Sequence, residues 1–144
     1  MHAAIAEAHQ AAAIGEVPVG AVAVDANGTI VARAHNVREI NHDPLGHAEI
    51  LLLRELSSAR KAWRLDDITI VVTCEPCLMC AGALLQARVM RVVAGSKDPK
   101  AGACESLYQV LSDPRLNHRI EYIPGVLRDE CGALLSDFFK QLRK

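Results

Sequence analysis

The chain has 144 residues, enough for one hydrophobic core, and its 51% apolar and 23% charged residues exclude a disordered chain. Sixteen Lys and Arg against seventeen Asp and Glu leave a net charge of −1 and a pI near 6.6, so attraction to nucleic acid at long range is weak and any such contact needs a local basic patch. No apolar run approaches the roughly 18 residues of a membrane span, the first residues lack a basic-then-apolar leader, and collagen, mucin and coiled-coil compositions are absent; the expectation is a cytoplasmic chain forming one domain over residues 1–144.

With aromatics at 3%, the core has to be built from Ala, Val, Leu and Ile. Residues 1–14 are Ala-rich without Gly or Pro and predict a helix, stopped at Gly15. Residues 19–24 and 30–34 are apolar and β-branched, and Asp25-Ala26-Asn27-Gly28 between them marks a hairpin turn. An irregular stretch, 35–46, carries Asn, His and Asp and includes Pro44. Residues 47–58 place Ile50, Leu53 and Leu56 at helical spacing. A strand buried on both faces follows at 68–73, then a helix opened by Pro76 and running to about Ala87. Residues 89–94 predict another buried strand, 96–102 an exposed loop with Lys97 and Lys100, and 107–111 a short helix or turn. Residues 119–123 suit a fifth, edge strand before the break at Pro124-Gly125. The last helix, 129–144, is amphipathic, with Leu134, Leu135, Phe138, Phe139 and Leu142. The alternation predicts an α/β fold, a three-layer α/β/α sandwich around a mixed sheet.

The five cysteines are Cys74, Cys77, Cys80, Cys104 and Cys131, and three of them fall within seven residues. An odd number clustered in this way suits metal or chemistry better than a disulfide framework. Two segments stand out, His47-Ala48-Glu49 and Pro76-Cys77-Leu78-Met79-Cys80, each opening a predicted helix. Cys77 and Cys80 are three apart, so both sulfurs project from one face of the first turn. Two thiolates and one imidazole make a three-ligand zinc set with the fourth tetrahedral position open to water. Two thiolates also offset the metal charge, so ionising that water is helped by a nearby carboxylate base, for which Glu49 is the candidate. Residues two apart on a helix point about 200° apart. His47 and Glu49 therefore converge only at a site lying beyond the helix N-terminus.

Plainer readings compete with this one. A lone C-x2-C is often half of a structural zinc site, and Cys74 with His47, Cys77 and Cys80 could complete a closed Cys3His set in a non-catalytic, zinc-stapled module. Cys104 and Cys131 read as small buried residues. His2 and His9 read as solvated helix positions, and His35, His42 and His118 as structural.

Further blocks carry a resemblance over essentially the whole chain: Glu16-Val17-Pro18-Val19-Gly20-Ala21, Asn36, His42-Asp43-Pro44, His47-Ala48-Glu49-Ile50, Glu75 through Ala83, Asn117-His118-Arg119, and Cys131 through Phe139. H-x-E with P-C-x-x-C marks only the zinc deaminases at large. In this order and spacing, with the P-C-L-M-C form, the sequence closely resembles the bacterial tRNA-specific adenosine deaminases, which convert the wobble adenosine of an anticodon to inosine. The resemblance implies a cytidine-deaminase-like fold with five strands, one Zn2+ per subunit on His47, Cys77 and Cys80, Glu49 as proton shuttle, Asn36 on the target base, the tRNA anticodon loop as partner, and a homodimer. Cys74 stands where Leu is commoner in the family. A deaminase of a free purine base or nucleoside, such as guanine, is the alternative with the same chemistry. An enzyme acting on a tRNA loop needs an open mouth with basic residues, for which Arg88, Arg91, Lys97, Lys100 and Arg143 are the candidates.

Overall fold

The computed structural model describes residues 1–144. In chain order the elements are α1 (His2–Ala13), β1 (Gly20–Val24), β2 (Ile30–His35), α2 (Ala48–Arg60), β3 (Thr69–Cys74), α3 (Leu78–Gln86), β4 (Arg91–Ser96), a single 3₁₀ turn (Val110–Ser112), β5 (Glu121–Ile123) and α4 (Arg128–Leu142). Gly15 ends the first helix at φ +83°, and the N–H groups of Gly15 and Glu16 cap the carbonyls of Ala12 and Ala11. In the hairpin turn the Asp25 carboxylate accepts the N–H groups of Asn27 and Thr29 at 2.9 and 3.0 Å.

The sheet order is β2-β1-β3-β4-β5, with β1 antiparallel to β2 and β3, and with β3, β4 and β5 parallel. Side chains alternate across it with period two. Ala21, Ala23, Ile70, Val72, Val92 and Ala94 join the large core with Leu52, Leu53 and Leu56 of α2 and Ala81 and Leu84 of α3. Val22 and Val71 face the other way, onto Ala4 of α1. Gly95, on that same face, lies directly under Cys131 of α4. The three layers expected from the sequence are therefore present, built almost wholly from aliphatic side chains.

Two strands start two residues later than expected. The fourth strand starts at Arg91 rather than Val89, because residues 88–90 form the helix exit. Arg88 takes φ +62°, the Val89 N–H returns to the Leu84 carbonyl, and ladder pairing begins only at Thr69–Arg91. Val89 is nevertheless fully buried, which is why its apolar character looked like strand. The fifth strand is shorter than 119–123 and spans three residues at the sheet edge.

The topology has one functional consequence. Since β1 is antiparallel to both β2 and β3, strands β2, β3 and β4 all run the same way and end at one edge of the sheet. That edge is where open α/β sheets present ligand sites. Chain leaving β2 reaches the start of α2, chain leaving β3 reaches the start of α3, and chain leaving β4 forms the loop after Ser96.

Gly20 lies under α1 with no room for a methyl group, since a Cβ there would run into the backbone of Ala4 and Ala8. Gly20→Ala is expected to destabilise the protein by about 1–3 kcal/mol. Urea unfolding checks this, the midpoint falling with an unchanged slope.

Candidate active site

His47 is not inside its helix. It is the N-cap of α2, in extended backbone at φ −83° and ψ 147°, and Glu49 is in the first turn. This departure from helical geometry is what lets two side chains only two residues apart approach one site. Cys77 is likewise the N-cap of α3, at φ −73° and ψ 175°, and Cys80 sits three residues on. N-cap and N3 side chains are neighbours in space, as in a capping box, so the two sulfurs converge. Neither N-cap side chain bonds its own helix, leaving first-turn N–H groups and their partial positive charge at the site.

The donor atoms meet across the two helix starts. The Nδ1 of His47 lies 3.6 Å from the Cys77 Sγ and 3.5 Å from the Cys80 Sγ. All three atoms fall within 4.8 Å of one another, and no other His, Cys, Asp or Glu belongs to the group. Zinc–sulfur and zinc–nitrogen bonds of about 2.3 and 2.05 Å at a tetrahedral angle would separate S and N by about 3.5 Å. Spacing and donor chemistry therefore fit a tetrahedral zinc ion.

Charge in the cluster favours a cation. The Cys80 thiol and then the His47 imidazole pull the Cys77 thiol down to about 4 against the opposing effect of burial. The Cys77 thiolate and burial in turn push Cys80 up. The hydrogen bond to Cys77 raises His47. Glu49 is 4% exposed; burial pushes its carboxyl above the usual range, with the neighbouring Cys77 thiolate acting in the same direction. An acid of this kind beside the donor set, but outside it, can take up and return a proton.

Cys74 is not in the cluster. It ends β3 opposite Ser96, and burial pushes its thiol to about 12. The Cys3His closure that the sequence left open is not formed. Cys104 and Cys131 are buried free thiols packed in the fold.

Asn36 follows β2, and its amide is engaged with backbone. The side-chain NH2 donates to the Val17 carbonyl at 3.2 Å, and the side-chain oxygen accepts the Arg38 N–H at 3.1 Å. Its neighbour Val37 donates to the Gly46 carbonyl at 3.0 Å, which closes the loop leading to His47. One amide hydrogen and one lone pair of Asn36 remain for another partner. Among the basic candidates, Arg91 pairs with Glu121 at 2.7 Å, Arg88 donates to the Leu85 carbonyl, and Arg143 donates to the Phe139 carbonyl. Lys97 and Lys100 are exposed and have no ion-pair partner.

Two buried acids bracket the site without having stood out as functional. Glu16 accepts the Ile40 N–H at 2.6 Å across the loop between β2 and α2. Glu75 takes N–H groups from the loop after β4, and although burial opposes ionisation, these donors and the Ser106 hydroxyl hold its carboxyl below the usual value. Both lie in quoted motifs, but their partners are backbone groups, which no residue spacing reveals.

The profile of the MafB19-like deaminase family matches residues 1–143. The tRNA-specific adenosine deaminase of Bacillus subtilis is 50% identical over 144 residues, covering 100% of this chain and 89% of that one. A solved structure from work on A-to-I editing by tRNA:A34 deaminases superposes with a TM-score of 0.89 at 38% identity, over 94% of this chain and 97% of the other. A guanine deaminase of Nitrosomonas europaea shares the fold at a TM-score of 0.75 and 23% identity, over 95% and 80%.

Titrating the purified protein with Co2+ or Zn2+ is expected to saturate at one ion. Cys74→Ser should leave the stoichiometry unchanged, while Cys77→Ser and Cys80→Ser should abolish tight binding, read by the thiolate-to-cobalt absorption.

Proposed function

The chain belongs to the tRNA-specific adenosine deaminases, within the MafB19-like deaminases, and on that premise we propose the roles of its residues. It hydrolyses adenosine to inosine at the wobble position of tRNA anticodons. Water adds at C6 of the purine, the C6–N6 bond breaks, and ammonia leaves. His47, Cys77 and Cys80 hold one zinc ion per subunit, supported by the spacing of their donor atoms. Bound there, zinc supplies Lewis acidity that makes water an effective nucleophile at neutral pH. Glu49 takes one proton of the attacking water and delivers it to the ring nitrogen N1. It then carries the proton of the new C6 hydroxyl to the amine, which leaves as ammonia while the product keeps its N1–H and gains the C6 carbonyl. The observation that carries this is a buried carboxylate beside the three donors that is not itself one of them.

Asn36 contributes its remaining amide hydrogen and lone pair to the target base, and the loop it anchors holds His47 in place. A base stacked in a duplex hides the reacting carbon, so the substrate is a single-stranded anticodon loop from which adenosine can be turned out. Lys97 and Lys100, exposed and free of ion pairs, supply local positive charge to a chain whose net charge is near zero. No helix is long and apolar enough to cross a membrane; a cytoplasmic homodimer, with residues 1–144 as one deaminase domain, belongs to the same proposal. The free-purine alternative rests on likeness of fold alone.

The test is an incubation of zinc-loaded protein with an anticodon stem-loop carrying A34, with the same strand annealed into a duplex, with free adenosine and with guanine. Inosine from the stem-loop and little product from the others is the expected outcome; comparable rates on free adenosine or guanine would overturn the tRNA assignment. Glu49→Gln is expected to retain its zinc and lose about 10²–10⁴-fold in kcat, the range of general acid–base catalysis. Loss of zinc together with activity would make Glu49 a ligand.

A further inference from the structure

Glu75 has no part in the proton chemistry, yet it is 2% exposed and collects more hydrogen bonds than any other side chain. It follows β3 and precedes Pro76. One carboxylate oxygen accepts the Asp98 N–H at 3.1 Å and the Ser106 hydroxyl. The other accepts the N–H groups of Cys104, Glu105 and Ser106 at 3.1, 2.9 and 2.9 Å. All five donors come from one stretch, residues 98–106, which contains no helix or strand.

Such a stretch would ordinarily satisfy its backbone with water. Here the N–H groups turn inward onto one buried charge, and bonds to a charged acceptor are about twice as strong as neutral ones. The stretch is then fastened to the cysteine arm. Ala103 donates its N–H to the Pro76 carbonyl at 2.9 Å, and Gly102 forms an isolated bridge with Cys77. At its outer end Asp98 accepts the N–H groups of Lys100 and Ala101 at 3.1 and 3.2 Å. Glu75 therefore sets the course of the chain from Asp98 to Ser106 along one side of the site, and with it the places of Lys97 and Lys100.

We propose that Glu75 is a positioning residue for the RNA substrate: it builds the 97–106 loop into a wall beside Cys77 and holds Lys97 and Lys100 at the mouth of the site. This rests on the tRNA reading above. The metal donors do not depend on Glu75 in the same way. Cys77 is tied into α3 by the Ala81 N–H at 2.8 Å, and His47 into α2 by the Leu51 N–H at 3.1 Å. Losing Glu75 should displace the wall and leave the donor set standing.

Two variants test this by opposite routes. Glu75→Gln keeps the shape but turns one oxygen into an NH2 facing N–H donors. Gly102→Ala keeps the charge but adds a Cβ that overlaps the Glu75 carboxylate. Each is assayed well below its melting temperature on the A34 stem-loop, with zinc content, kcat, KM and the salt dependence of binding as readouts. Expected for both are one zinc per chain, kcat within about threefold of the parent, and KM raised about tenfold, with a shallower salt slope from lost phosphate contacts. A merely structural Glu75 would lower the melting temperature and leave KM and salt slope unchanged, and that result overturns the assignment. Failure of the parent protein to deaminate the stem-loop would instead remove the tRNA reading and the assignment with it. If Glu75→Gln does not fold, Gly102→Ala and the milder Ser106→Ala carry the same test.

Discussion

One constraint governs the rest of the molecule: two sulfurs and one ring nitrogen, all electron-rich, are brought within 4.8 Å of one another. Atoms of this kind crowd together at a cost unless a cation or shared protons join them. The fold bears that cost by geometry. Parallel strands ending at one sheet edge place the starts of α2 and α3 side by side, and neither N-cap side chain caps its own helix. The helix dipoles then add partial positive charge where thiolate is wanted. The aliphatic core under the sheet, with Leu52, Ile70, Val72 and Leu84 fully buried, makes that arrangement stiff.

Around this centre the walls are irregular chain, and irregular chain must find partners for its backbone groups. Three polar side chains supply them. Glu16 and Asn36 hold the segment between β2 and α2, and Glu75 holds the segment after β4. Each is at least nine-tenths buried, so each is shielded from water that would compete for the same donors. A rigid donor set thus sits between two loops whose shapes are set by single buried groups. Binding residues on loops over a rigid scaffold are the usual division of labour.

Much of this was legible in the chain itself. Composition, turn residues and periodicity together placed the helices and strands to within about two residues, because long runs such as 47–58 and 68–73 bury one stripe or both faces. The H-x-E and C-x-x-C spacings located the cluster, and the requirement that His47 and Glu49 converge pointed to a site beyond a helix start, where His47 is now seen as an N-cap. Other features left no such trace. The late start of β4 depends on Arg88 adopting a positive φ, a conformation that favours Gly or Asn and that nothing around Arg88 announces. The work of Glu16 and Glu75 is done on backbone N–H groups, which have no residue identity. For Asn36, expected on the target base, nothing in the sequence signalled its further bonds to the backbone of Val17 and Arg38. Arg88, Arg91 and Arg143 also bond to Leu85, Glu121 and Phe139, partners that charge alone did not reveal.

The open character of the metal set separates a catalytic site from a staple, and it can be measured on the metal itself. The zinc K-edge X-ray absorption spectrum of the zinc-loaded protein should show two sulfur neighbours near 2.3 Å, with the remaining shell made of nitrogen and oxygen. Three sulfur neighbours would mean that Cys74 has joined the shell and closed it, contradicting the proposal of a site with room for water.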